Sequence, residues 1–206
     1  MKKYHKIQTV FKRDPDDMKI LTSEYSLPEF EYLQDNKWIF TEKIDGTNIR
    51  IQFKDSKILF NGKTDNAQIP IGLLNELNSK FLSKHEKFKE LFNCDVCLYG
   101  EGYGPKIQKG GKYKDVNDFV LFDISIGDWW LNRVDIEKIA LELEIEVTPI
   151  IGSGTLRDMI IITKKGFNSQ WGDFIAEGIV ARPEIELKCR NGERIITKLK
   201  YRDFTK

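Results

Sequence analysis

The sequence lacks long apolar runs, has little cysteine and almost no histidine. No stretch approaches the roughly 18 consecutive apolar residues that a membrane-spanning helix needs, so no membrane partner is expected. The opening MKKYHKIQTVFKRD has no apolar segment of a secretory signal, which makes the cytoplasm the expected compartment. Three cysteines in 206 residues are too few, and odd in number, for a disulfide framework. Cys94 and Cys97 form one CxxC without a second pair, and His5 and His85 are the only histidines, so ordinary reduced thiols are expected rather than zinc ligands. An excess of either charge is missing too. The 33 Lys+Arg residues face 32 Asp+Glu, a net charge of +1, so any grip on a polyanion must come from a local cluster.

What is present is enough apolar material for a sizeable core: 40% of residues are hydrophobic and 12% aromatic. There is no repeat, low-complexity tract or Pro/Gly/Ser-rich linker, and the chain reads as a single domain over residues 1–206. Helical spacing of apolar residues marks Leu73 to Phe92 and Arg133 to Glu144, and Thr155 is placed to cap a shorter helix from Leu156 to Thr163. Elsewhere apolar residues alternate in steps of two, as in Thr47 to Phe53, Lys57 to Phe60, Val96 to Glu101, Phe119 to Ile126, Gly178 to Arg182 and Arg194 to Tyr201. Strands come in hairpin-like runs with helices between them, so the expected class is α+β, with largely antiparallel sheets and flanking helices.

Familiar catalytic signatures are absent. Gly100-Glu101-Gly102-Tyr103-Gly104 lacks GxGxxG spacing, and GxxxxGK[ST], HExxH and GxSxG do not occur. What remains is Glu42-Lys43-Ile44-Asp45-Gly46-Thr47-Asn48 at the mouth of a predicted strand. Alone it reads as a solvated Asp-Gly turn. It is followed in order by Phe60-Asn61-Gly62-Lys63-Thr64, Leu98-Tyr99-Gly100-Glu101-Gly102, Leu121-Phe122-Asp123-Ile124, Glu177-Gly178-Ile179-Val180 and Lys198-Leu199-Lys200.

Taken together these segments resemble the motif series of the covalent nucleotidyltransferases, the polynucleotide ligases and RNA capping enzymes. EKIDGTN, the basic residue twenty positions after the lysine, FDI and the interval from EGIV to KLK are most similar to ATP-dependent RNA ligases of the phage T4 RNA ligase 2 type. The resemblance implies a nucleotidyltransferase (ATP-grasp-like) core, and ATP as the nucleotide, with AMP carried covalently on Lys43. An unperturbed lysine is almost wholly protonated at pH 7, a handicap of roughly 4.6 kcal/mol that nearby positive charge can reduce.

By the same resemblance, Lys198 and Lys200, on one face of a strand, contact the α-phosphate and orient the leaving pyrophosphate. Glu177 holds Mg²⁺, or Mn²⁺, against the phosphates. Glu101, inside a glycine-rich turn, accepts from ribose hydroxyls, and Phe122 stacks on adenine, with Phe119 as the fallback. Lys63 stands near the AMP phosphate where the family often has arginine, keeping the charge but not the planar fork. Glu42, Ile44, Asn48 and Ile179 complete the implied nucleotide-binding set. Lys106, Lys109, Lys112 and Lys114, interleaved with Tyr103 and Tyr113, form a basic loop suited to an RNA backbone, whereas Trp129 and Trp130 read as a packed corner.

The expected activity is therefore joining of RNA 3′-OH and 5′-phosphate ends by a monomer. Six residues follow Lys200, so the sequence reads as a catalytic core without an OB-fold or other C-terminal domain. Rival readings are a DNA ligase or capping guanylyltransferase, and a non-catalytic nucleotide- or RNA-binding module of the same fold.

Overall fold

A computed structural model describes residues 3–205. In chain order the elements are β1 (Gln8–Thr9), β2 (Phe11–Arg13), β3 (Ile20–Tyr25), α1 (Pro28–Tyr32), β4 (Trp38–Lys43), β5 (Thr47–Lys54), β6 (Lys57–Asn61), α2 (Ile71–Phe81), α3 (His85–Leu91) and β7 (Val96–Tyr103). They continue with β8 (Asp118–Ile126), β9 (Trp129–Trp130), α4 (Arg133–Glu142), β10 (Glu146–Val147), β11 (Ile150–Gly154), α5 (Leu156–Lys165), β12 (Gly178–Pro183) and β13 (Thr197–Lys200). The class is α+β, with mostly antiparallel sheets flanked by helices. The chain packs as two compact units: Asp45–Thr148 with the described part of Met1–Tyr4, and His5–Ile44 with Pro149–Lys206 as far as it is described. Among the described residues no helix is long and apolar enough to cross a membrane.

In the first unit the sheet order is β10-β8-β7-β5-β6, with β9 on β8. Alternation along β5 sends Ile49, Ile51 and Phe53 into a core with Leu73, Leu77 and Phe81 of α2, Phe88 of α3 and Ile136 of α4. The opposite phase is polar. Arg50 and Gln52 are buried there, and the Arg50 guanidinium donates to Gly62 O (2.9 Å) and Asp65 Oδ1 (2.7 Å). The helix predicted over Leu73 to Phe92 is interrupted by a 3₁₀ turn at Leu82–Lys84. The apolar spacing is the same on both sides of that turn, so periodicity could not reveal it. Burial pushes the Cys97 thiol up to about 11, while Cys94 is exposed and both are free thiols.

The second unit is built on the sheet β1-β13-β12-β4-β11, with the β2–β3 hairpin beside it. Trp38 and Phe40 of β4, Ile179 and Ala181 of β12 and Leu199 of β13 face a core closed by Phe30 of α1 and Leu156 and Met159 of α5. Thr155 caps α5 as predicted, in a capping box with Asp158.

Candidate functional site

In the second unit, register places the charged residues. Gly178 lies directly opposite Lys43 on one side and Lys200 on the other, and Val180 lies opposite Thr41 and Lys198. Directly opposed residues share a face, and the neighbours Trp38, Phe40, Ile179 and Leu199 occupy the core face. Lys43, Lys198 and Lys200 therefore project together from the other side, as the KLK alternation predicts. Between the first and last of them stands a glycine. A Cβ built on Gly178 would come within 2.0 Å of Leu199 O and 2.7 Å of Lys200 Cα, so only glycine lets β12 and β13 approach this closely.

The residue before Gly178 supplies the carboxylate that meets the two lysines. Glu177 receives Lys43 Nζ on Oε2 at 2.6 Å and stands 2.7 Å from Lys200 Nζ through Oε1. The Glu177 side chain is 9% exposed and each lysine side chain 18%, so the triad opens only narrowly to solvent. Tyr201 N–H donates to Glu177 O (2.9 Å), tying the backbone of this carboxylate to the residue after Lys200. Two ammonium groups share one carboxylate, a net positive centre that an anion would complete.

Glu42, predicted beside the nucleotide, faces the other way. It is 1% exposed, accepting from Ser169 Oγ (2.6 Å) on one oxygen and from the Gln170 N–H (2.8 Å) on the other. Burial pushes its carboxyl above the ordinary value, more than those two neutral donors bring it down. Its carboxylate holds the 169–170 turn against β4. Ile44 and Ile179 are buried as well, Ile179 wholly so within the core. The structure gives these side chains packing roles.

In the first unit, Asp45 and Gly46 turn the chain into β5. A Cβ on Gly46 would lie 2.3 Å from Gly102 O and 2.9 Å from Glu101 Cγ, so the turn presses onto β7 at the predicted ribose-binding carboxylate. Glu101 is half-buried and pairs with Asn48 across β5–β7. The expected glycine-rich turn is corrected here: Gly100-Glu101-Gly102 lies within strand β7, where missing side chains admit close neighbours. Asn48 Oδ1 is buried and has no hydrogen-bond partner among the described residues.

Phe122 owes its position to a bulge. Tyr99 pairs with Asp123 but Gly100 with Leu121, so Phe122 is the extra residue. The phase flips there, which is why both Leu121 and Ile124 reach the core while Phe122 remains half-buried. Tyr4 meets its ring edge-on, with centroids 5.0 Å apart. Phe119 is 1% exposed and packs against Phe81, which removes it as the fallback for stacking.

Lys63 is exposed on the 62–65 turn that Arg50 braces from beneath. Arg50 was not singled out from the sequence. The available signal was a charged residue repeated in the off-core phase of TNIRIQF.

Lys106, Lys109 and Lys112 are exposed, whereas Lys114 pairs with Asp118 and stands 3.5 Å from Glu146. The loop that carries them is anchored by buried Ile107 and Tyr113, and Tyr113 Oη accepts from the Asp45 N–H (3.1 Å). Trp130 packs on Tyr99 and Tyr4, while Trp129 is exposed.

Comparison with known proteins adds three observations. No curated protein matches the sequence. The chain is similar in fold to structures of the Naegleria gruberi RNA ligase. An arginine-to-alanine mutant with ATP and Mn gives a TM-score of 0.71 at 18% identity, covering 97% of this chain and 56% of that one. The ligase with PPi gives 0.67 at 19%, covering 96% and 61%, and a lysine-to-alanine mutant with ATP and Mn gives 0.66 at 19%, covering 84% and 52%. This chain thus spans little more than half the length of those ligases. The RNA ligase family model matches residues 36–200, a stretch holding every motif segment from Glu42 to Lys200, and the chain belongs to the RNA ligase family.

Proposed function

We propose that this chain is the adenylyltransferase core of an ATP-dependent RNA ligase of the T4 RNA ligase 2 type. Lys43 Nζ attacks the α-phosphorus of ATP. A P–N bond forms as the P–O bond to pyrophosphate breaks, and pyrophosphate leaves. The AMP then passes to an RNA 5′-phosphate, and a 3′-OH displaces it to form the phosphodiester. The observation that carries this reading is the triad of Lys43 on β4, Lys200 on β13 and Glu177 immediately before β12, each lysine within 2.7 Å of the carboxylate.

Glu177 Oε2, 2.6 Å from Lys43 Nζ, holds the ammonium in place until the nucleotide enters; the proton that must leave before the nitrogen attacks passes to solvent as the lysine is drawn off the carboxylate. A triphosphate entering beside Lys43 and Lys200 competes with Glu177 for both ammonium groups, and preorganised cations of this kind stabilise the charge that builds on the leaving group. The carboxylate thus released suits a divalent cation. Mg²⁺ takes one or two carboxylates together with substrate phosphates and water, which a lone Glu177 can supply, and when bound the ion neutralises phosphate charge. From the first unit we assign Glu101 to the ribose hydroxyls, Phe122 to adenine, Asn48 to a nucleotide donor and Lys63 to the AMP phosphate.

The test is incubation with α-labelled ATP and Mg²⁺. Label should appear on the wild-type chain and be absent from Lys43→Ala; retention on that variant would sink the assignment. Replacing ATP with GTP distinguishes a capping enzyme. Comparing RNA and DNA ends as joining substrates settles the strand preference.

A further inference from the structure

Beside the triad, in the second unit, lies a cleft of about 750 Å³ that the motif series does not account for. One wall is the face of β13 that bears Lys198 and Lys200, and the remainder comes from the segment entering β1, the β2–β3 hairpin and the residues just after β13. β1 runs parallel to β13 with Thr9 opposite Lys198, and Val10 N–H donates to Lys198 O (3.2 Å), so the cleft is continuous with the strand carrying those lysines. Five cations outside the motifs line it: Lys6, Lys12, Arg13, Lys19 and Arg202. With Lys198 and Lys200 they make seven against two carboxylates, Asp17 and Asp203. In a chain of net charge +1, that is a concentration of positive charge and not a general property of the surface.

Both lining carboxylates are engaged. Asp203 accepts from Arg13 Nη2 (2.9 Å) and from the Lys200 N–H (3.1 Å), and Asp17 pairs with Lys19 (2.7 Å). Arg13 also donates to Met18 O (2.8 Å), which makes it a brace between the hairpin and the end of β13. The pairs of Lys12 with Glu24 and Lys19 with Asp17 are solvent-exposed, and exposed pairs are weak enough to give way to a phosphate. Lys6 and Arg202 are exposed and have no carboxylate partner among the described residues.

Resting on the ligase reading, we propose that this cleft holds the sugar-phosphate backbone of the RNA being joined. The cations come from three separate chain segments, and seven of them around a cleft of about 750 Å³ are more than one pyrophosphate engages, which suits a run of phosphates. The one wall aromatic, Phe11, is 4% exposed, so no ring is offered for stacking and recognition rests on backbone charge, independent of base sequence.

The experiment measures binding of a short fluorescein-labelled single-stranded RNA, without ATP, across a range of salt concentrations. The variant is Lys6→Gln/Lys12→Gln/Lys19→Gln/Arg202→Gln, with Arg13 retained for its bracing role. Affinity should fall at least tenfold at low salt, and the slope of log K against log salt should become shallower by about 3, four cations at about 0.7 each. Labelling by α-labelled ATP should stay at the wild-type level, which also shows that the variant is folded. An unchanged affinity and slope would overturn the proposal. So would unchanged RNA binding with weakened inhibition of labelling by added pyrophosphate, which would assign the cleft to the leaving group. Should the fourfold variant not fold, the Lys12→Gln single variant decides the matter in the same way: its slope should drop by about 0.7, and an unchanged slope overturns the proposal. Because RNA binding is read without nucleotide, failure of this proposal is distinct from failure of the ligase reading, which shows as loss of label on the wild-type chain.

Discussion

Glu42 in the second unit and Asp118 in the first are both almost wholly buried, 1% and 4% exposed, yet their carboxyl groups shift in opposite directions. Burial pushes both up. For Glu42, burial prevails over the Gln170 N–H and the Ser169 hydroxyl. For Asp118 it is outweighed by the ammonium groups of Lys114 and Lys80, with the Phe119 N–H adding to them, and the carboxyl ends below its ordinary value. Neutral donors satisfy the geometry of a buried carboxylate; cations are needed to satisfy its charge. Glu177, like Asp118, has two lysines against its carboxylate. The difference is that one of those two lysines is the proposed nucleophile.

Three substitutions sharpen or break this comparison. The largest effect is expected from Glu177→Ala, which leaves Lys43 and Lys200 facing each other without a carboxylate. Self-adenylylation should fall by at least ~10², on the scale of losing one preorganised electrostatic group in an active site. A rate within a few-fold of wild type, measured with α-labelled ATP, would show that the triad is structural. Next is Asp118→Asn, which weakens hydrogen bonds to two lysines and should cost about 1–3 kcal/mol in urea unfolding at pH 7.

The pH dependence follows from the signs. Asp118 has a depressed folded pKa, so its contribution is present above the ordinary value of 3.8 and is lost as pH falls through the folded value; Asp118→Asn should flatten the acid limb of the stability curve. Glu42 has a raised folded pKa, so the folded state binds its proton more tightly than the unfolded chain. Its contribution declines as pH rises from the ordinary 4.5 through the folded value. Glu42→Gln should therefore be the mildest change, within about 1 kcal/mol at pH 7, because a neutral amide suits a site that disfavours charge. A loss of several kcal/mol in thermal or urea unfolding would mean that Ser169 and Gln170 require the anion.

Much of this was legible in the sequence because alternation does two jobs in one strand. In TKLK the apolar Leu199 announces the core phase, and that fixes Lys198 and Lys200 on the other face. The same logic gave β5, β7 and β8 to within a few residues. It failed where one residue changes the phase or where glycine means close packing. The bulge at Phe122 leaves no local mark in FVLFDI, and Gly100 and Gly102 look like a turn until their strand neighbours are known. The β1–β3 segment was invisible for another reason. Its strands are short, and its cations gain meaning only when β1 joins β13, a pairing more than 180 residues apart.

Position 178 carries a lesson for anyone diversifying this protein. A side chain there would strike the neighbouring backbone, so randomised libraries and long evolutionary searches alike meet a wall at that codon, independent of the chemistry beside it. New substrate range has to arise from the residues around that fixed point, while the spacing of the two flanking strands remains inherited.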